Sequence, residues 1–290
     1  MKLAPPTVQI VGSTRLSRVA IPWLCEEGRA RIVGVDPGEE DETRPFFAPL
    51  RQLARDLGVP LGRAPADIVL DLDPDTHPGE GVRVRVRAPA GAASADVNRA
   101  LLTGGAWAMT VCDGTGQAAW AEAAVSWSAE DDATTLLDRA TLRGIEALAD
   151  AFPRLIAGAP PEVLSRPVFD PAGRAAPRPG ARWRHQEGLL VWEQTAERLV
   201  ARIRACAGPY GGARTSCGET PIHIHDARVI HTGSTPDWPA GTLTAVDRGI
   251  EVATGRGVLR VERVSPGWRP ARPAGEWAME VGLSPGYQLG

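Results

Sequence analysis

Lysine is almost missing from this 290-residue chain, with Lys2 as its sole representative, so nearly all positive charge is arginine. With 32 basic against 35 acidic residues the formal net charge is -3 and the pI is about 6.0. That balance disfavours a protein whose main task is to grip a polyanion, so no nucleic-acid partner is expected, tRNA included. Cysteine is scarce too. Cys25, Cys112, Cys206 and Cys217 are scattered, with no Cys-x-x-Cys pair, which excludes a zinc ribbon and a dithiol redox motif. The first three lie in apolar runs and read as inert core residues. No apolar run approaches the length of about 20 residues that a membrane helix needs, and the N-terminus lacks a sustained apolar core, so no membrane contact and a cytoplasmic location are expected. Spaced glycines are also absent from Gly12-Ser13-Thr14-Arg15, which reads as a helix N-cap rather than a nucleotide cradle.

What is present is an alternation of elements. Apolar runs at 7–13, 31–36, 68–73, 82–88, 106–112 and 118–127 predict strands, and amphipathic patterns at 46–57, 95–102 and 132–156 predict helices. Such alternation predicts an α/β fold, a Rossmann-like, mostly parallel sheet covered on both faces. Residues 159–181 are rich in Pro, Ala and Arg without apolar periodicity and read as a linker. From 182 the pattern becomes one helix, 195–207, and short strands at 222–230, 243–246, 249–253 and 257–264, which predicts a small OB-like, partly open β-barrel. The expected organisation is therefore 1–158, a linker over 159–181, and 182–290.

Residues 189–216 sharpen this reading. A tryptophan before the helix (Trp192), Ile203-Arg204-Ala205 closing it, and Pro-x-x-Gly-Ala at Pro209 to Ala213 resemble the entry to the C-terminal domain of methionyl-tRNA formyltransferases and related folate-dependent N-formyltransferases. Val8 to Ser13 and Leu-Ala-x-x-x-Gly-Val-Pro, at Leu53 to Pro60, resemble the folate-binding domain of the same family. The resemblance implies a formyltransferase N-terminal fold, 10-formyltetrahydrofolate as the cofactor, a small-molecule ligand and a transferase of one-carbon groups. One departure is large. Where the family carries Asn-x-His-x-Ser-Leu-Leu-Pro, this chain reads Val84-Arg85-Val86-Arg87-Ala88-Pro89. On a strand the family's three polar residues share one face, and here that face is Val84, Val86 and Ala88. Formyl transfer to an amine needs a proton acceptor and an oxyanion donor, and valine is neither. Arg85, reached by slipping the alignment one residue, stays protonated and is no base.

Three residues are candidates to replace the lost groups. Asp113, in Cys112-Asp113-Gly114-Thr115-Gly116, matches the family's Asp-before-Gly loop and equally suits a hairpin turn. Asp73 closes the predicted strand at 68–73 and His77 follows it, at the end where open α/β sheets bind ligands; pairing of Asp71 and Asp73 with the row Arg83, Arg85 and Arg87 is the structural alternative. His223 and His225 alternate on one strand without a third ligand, so no metal is expected. Trp268 and Trp277 lie in Pro-rich stretches that suit presentation to a ligand or partner. Two functions remain open: a divergent transferase acting on a small molecule in specialised metabolism with relocated groups, or a pseudoenzyme that serves as a binding or scaffolding partner for another protein.

Overall fold

The computed structural model describes residues 4–38, 49–72, 82–87, 101–102, 107–128, 130–165, 168, 188–233, 237–267 and 269–290, with 27, 83–87 and 209 described by backbone alone. Among them two compact units separate. The first comprises Met1–Asp96, Gly105–Trp127 and Leu137–Arg182, and the second Val97–Gly104, Ser128–Leu136 and Trp183–Gly290.

The first unit runs β1 (Thr7–Val11), α1 (Arg15–Cys25), β2 (Arg31–Asp36), α2 (Arg51–Asp56), β3 (Ile68–Asp71), β4 (Val82–Arg87), β5 (Trp107–Cys112), β6 (Ala118–Val125), α3 (Ala133–Ile156, which starts in the second unit's segment 128–136) and β7 (Glu162–Val163). Its seven strands take the order β2-β1-β3-β4-β5-β6-β7. The pairings β1–β2, β1–β3 and β3–β4 are parallel, whereas β4–β5, β5–β6 and β6–β7 are antiparallel. The sheet is parallel in its first half only; β5–β6 is antiparallel because the short connection at 113–117 permits a hairpin and no crossover. β1 buries Val8 and Ile10 on one face and Gln9 on the other, as a strand covered on both faces does. α3 lies close over β5 at Gly144, where an added Cβ would stand 3.0 Å from Leu16 and 3.2 Å from Met109. α1 meets α3 through an edge-on Trp23–Phe152 pair with centroids 5.5 Å apart, and Arg29 sits 5.2 Å above the Trp23 ring. Cys25, expected in the core, is exposed at the end of α1, while Cys112 and Cys206 are buried.

The first part of the expected linker belongs to this sheet. β7 pairs with β6, Leu164 N–H donates to the Gln117 carbonyl at 2.9 Å and Val168 N–H to the Gly116 carbonyl at 2.7 Å. Leu164 and Val168 then pack on Cys112 and Ala119. The rest of the linker, 169–181, lies outside the described residues, and its composition carries the expectation. Trypsin should cut the native protein first at Arg174–Ala175, since the bonds after Arg166 and Arg178 precede proline. Mass spectrometry of the first fragments checks this, and an initial cut inside 7–36 or 196–231 would contradict the division.

The second unit contains α4 (Ala196–Ala205), β8 (Ala213–Cys217), β9 (Thr220–His231), β10 (Leu243–Val246), β11 (Ile250–Ala253), β12 (Val258–Pro266), β13 (Arg272–Pro273) and α5 (Ala274–Glu280). Among the described residues its strands form an open path, β10-β11-β12-β9-β8, with β13 on β12, without the closure that the expected OB-like, partly open barrel calls for. β8 and β10 do not pair with each other among the described residues; the segment 286–290 instead donates to the Gly241 and Leu243 carbonyls and accepts from Leu243 N–H on one side, and donates to the Ser216 carbonyl on the other. α4 lays Leu199, Val200 and Ile203 on a core of Ile222, Ile224, Leu243, Ile250, Val252, Leu259, Val261 and Val264. Each such side chain contributes about 1.5–3 kcal/mol by leaving water. Trp277, expected in a loop, is buried in α5; Trp268 lies outside the described residues. No helix among the described residues is long and apolar enough to cross a membrane.

Candidate functional site

The sheet register defines the place where a ligand of this fold would sit. One row of Cα atoms crosses all seven strands of the first unit: Asp36, Val11, Asp71, Arg83, Cys112, Ala119 and Glu162. β1, β2 and β3 end at this row, while β4 continues past it from Arg83 to Arg87, about 13 Å at the usual strand rise. Beyond Arg83, β4 has no β3 partner among the described residues. The step so formed lies outside the carboxyl ends of parallel strands, where open α/β sheets place their crevices.

The turn that follows β1 closes one side of the step. Gly12 takes φ 106, a conformation costly to any residue with a Cβ, and its N–H donates to the Asp36 carbonyl at 2.9 Å. Thr14 caps α1: its hydroxyl accepts from Ser17 N–H at 3.2 Å and donates to the Leu72 carbonyl at 3.2 Å. The cap therefore ties the start of α1 to the end of β3. Gln9, 3% exposed, fixes the adjacent loop. Its amide donates to the Gly62 carbonyl at 3.1 Å and its oxygen accepts from Ala64 N–H at 2.8 Å, so Arg63 between them is held at the strand ends.

Arg63 determines the electrostatics of this edge. Its Nε donates to Asp36 at 2.5 Å, and that carboxylate also accepts from Gly38 N–H at 3.0 Å. The Arg63 hydrogen bond, aided by the Gly38 N–H and partly opposed by burial, holds the Asp36 carboxyl below its ordinary range. Asp36 in turn raises Arg63, with a smaller contribution from the charge of Asp71, a carboxylate 5% exposed at the end of β3. A depressed carboxylate pKa stabilises the fold above the unfolded value of about 3.9 and ceases to do so as pH falls through the folded value. Arg63→Ala should therefore cost under about 1 kcal/mol at neutral pH, Arg63 being largely exposed. The gap between the urea curves of wild type and variant should narrow as pH falls below about 3.9; a gap that is the same in acid as at neutral pH would remove the pair as its cause.

Asp113 lies one residue past the row, between β5 and β6, and β4 alone separates its strand from β3, a span of about 10 Å. Its carboxylate is engaged within the hairpin. One oxygen accepts from Gln117 N–H at 3.0 Å and Ala118 N–H at 3.3 Å, the other from the Thr115 hydroxyl at 2.7 Å. Asp73 and His77 lie outside the described residues, as do Ala88 and the side chains of Val84 and Val86. Sequence reasoning passed over Arg63, Asp36 and Gln9; Asp36, an acid directly after a β-branched run, was the available signal.

In the second unit the motif residues form the joint between α4 and β8. Trp192 is buried and donates its Nε1–H to Thr215 Oγ1 at 3.1 Å. Thr195 caps α4 by accepting from Arg198 N–H. After the helix the chain turns through Gly211 and Gly212, and Gly212 N–H donates to the Cys206 carbonyl at 2.8 Å. Gly212 has φ 92, and a Cβ there would stand 3.0 Å from the Ile224 carbonyl, so only glycine lets β8 begin at Ala213. Among the described residues no three His, Cys, Asp or Glu side chains group as metal ligands do.

Residues 182–281, which contain this joint, match the formyl transferase C-terminal domain family. Over 200 residues the chain is 34% identical to the methionyl-tRNA formyltransferase of Halorhodospira halophila, covering 67% of this chain and 61% of that protein. The chain is a homologue of the formyltransferases. Against the methionyl-tRNA formyltransferase of Roseiflexus castenholzii identity is 37% over 105 residues, 36% of this chain and 33% of the relative. The chain thus spans between about a third and three-fifths of the length of these two relatives. In fold it is similar to WlaRD, a sugar 3N-formyltransferase crystallised with dTDP and 5-N-formyl-THF, at a TM-score of 0.63 and 11% identity over 90% of this chain and 98% of that one. It is also similar to HypX from Aquifex aeolicus with tetrahydrofolic acid, at 0.58 and 13% over 95% of this chain and 47% of that one.

Proposed function

We propose that this chain is a formyltransferase-fold protein that binds a reduced folate or a similar small molecule and does not transfer a formyl group by the family's usual residues. The observation that carries this is the sequence of β4, Val-Arg-Val-Arg-Val-Arg, on the strand that borders the step. The residues there fit a folate in one respect. Past Arg83, β4 has no β3 partner among the described residues, and the backbone N–H and C=O groups on that edge form a row of donors and acceptors suited to an aminopyrimidinone ring. A bound 10-formyltetrahydrofolate would supply the formyl group; the chain's own part is to hold the ring, with Asp71 and the Thr14 turn forming the wall beside it. Calorimetric titration with 5-formyltetrahydrofolate tests the binding. Saturable uptake supports the reading, and no heat at millimolar folate removes the cofactor from it.

A second reading, an N-formyltransferase with relocated groups, draws on the hairpin that brings Asp113 to within two strands of β3. Its candidates are Asp113, Asp73 and His77. If they act on substrate, Asp73→Asn and His77→Ala abolish activity and leave Tm nearly unchanged; if they serve the Arg row or the turn, Tm falls and activity survives. We infer a small-molecule role in specialised metabolism, or a scaffolding role toward a protein partner, rather than an RNA-directed one, on the net charge of -3. From residue 182 on, Arg182, Arg184, Arg198, Arg202 and Arg204 are offset by Glu187, Glu193, Glu197 and Glu219. Fluorescence anisotropy with tRNA at physiological salt should show no binding, and a steep salt-dependent affinity would reverse the inference.

A further inference from the structure

We propose that His225 is a proton-operated catch on the seam between β9 and β12, closed while its imidazole is neutral and released in acid. The seam is the longest ladder of the second unit, and it is irregular where the histidine sits. Ile224 pairs with Val264 and Asp226 with Arg263, with shifts of register on both sides of Arg263, so His225 has no Cα partner. Such bulges leave the ladder locally unpaired and depend on side chains to fix them. Here the fixing contact is between His225 Nε2 and Ser265 Oγ, 2.8 Å apart, with Ser265 7% exposed. The ring is half-buried, and its Cε1 lies 3.2 Å from where a Cβ on Gly212 would be, so the turn before β8 covers it.

The surroundings favour the neutral ring. His223 shares its face of β9, Arg263 comes from β12, Ser265 is uncharged, and the covering turn contributes a glycine. The nearest carboxylate in register, Asp226, is exposed and opposite Arg263. A proton on His225 would place a partly desolvated imidazolium beside Arg263 and on the same face of β9 as His223. Burial first, then His223 and Arg263, hold its pKa below the ordinary value. As pH falls the opened seam therefore takes up the proton before the closed one. The stabilisation is complete above about pH 6.5 and is lost as pH falls through the folded value.

Native-state amide exchange of the full-length protein at about pH 7 and about pH 5, corrected for intrinsic exchange, tests the catch. Amides of β9 and β12 around residues 224–226 and 263–265 should open more in acid, by about tenfold for each unit that the folded pKa lies below the ordinary one. Those of α4, in the same unit, should not respond. His225→Gln keeps a polar group at Ser265 and removes the titration, so its seam should be indifferent to pH. Unchanged seam protection in the wild type, or a full acid response in His225→Gln, overturns the proposal. Should that variant not fold, an NMR titration of the His225 Cε1–H in the wild type decides alone, because a midpoint at or above about 6.5 overturns it as well.

Discussion

Formyl transfer from 10-formyltetrahydrofolate to methionyl-tRNA or to a simple amine is expected to stay at the uncatalysed rate when the purified protein is added. An attacking amine must lose a proton and the tetrahedral oxygen must be stabilised, each effect being worth about a hundredfold or more. In the family that this chain resembles, the Asn-x-His-x-Ser strand supplies both. Here the strand reads Val-Arg-Val-Arg-Val-Arg through Arg87, and a guanidinium does not accept a proton at neutral pH. Losing base and donor together should lower the rate by about ten-thousandfold or more. Radiolabelled formyl transfer with tRNA and with small amines, each against a no-protein control, measures this. Turnover well above the control would remove the proposed reading and return attention to Asp113.

Replacing Trp192 by alanine should destabilise the second unit by about 3–5 kcal/mol. The indole is 4% exposed within the cluster that α4 closes, alongside Leu190, Leu199 and Leu243. The loss has two parts. A large apolar body disappears from a close-packed interior, and Thr215, itself 6% exposed, loses its partner at 3.1 Å. Trp192→Phe separates them, since it keeps most of the body and forfeits the hydrogen bond, and should cost about 1–2 kcal/mol. Urea denaturation followed by a signal of the second unit checks both values. An alanine variant within 1 kcal/mol of wild type would show that the packing around Trp192 is not what holds α4 to its sheet.

Much of the architecture was legible because it rests on local pattern. Arg31–Asp36 reads as a strand from its β-branched run, and the helix pattern at 132–156 needs only Leu137, Ala140, Gly144, Leu148 and Ala151 on one face. The joint at Trp192 and Pro209 to Ala213 was equally visible, since its glycines answer to backbone geometry. α5 escaped notice because its seven residues follow a proline-rich stretch, and β7 because two residues leave no periodicity.

By itself the sequence determined the α/β alternation, the formyltransferase-like second unit and the replacement of the polar strand by Val and Arg, all properties of residues near one another along the chain. Tertiary structure alone decided the rest. Arg63 meets Asp36 across 27 residues and Gln9 reaches Ala64 across 55. His225 meets Ser265 across 40 residues, beside a register shift that no pattern in β9 announces. Such pairs depend on which strands adjoin and in what register. That is settled when distant apolar faces find a common core, not by the period of any one segment.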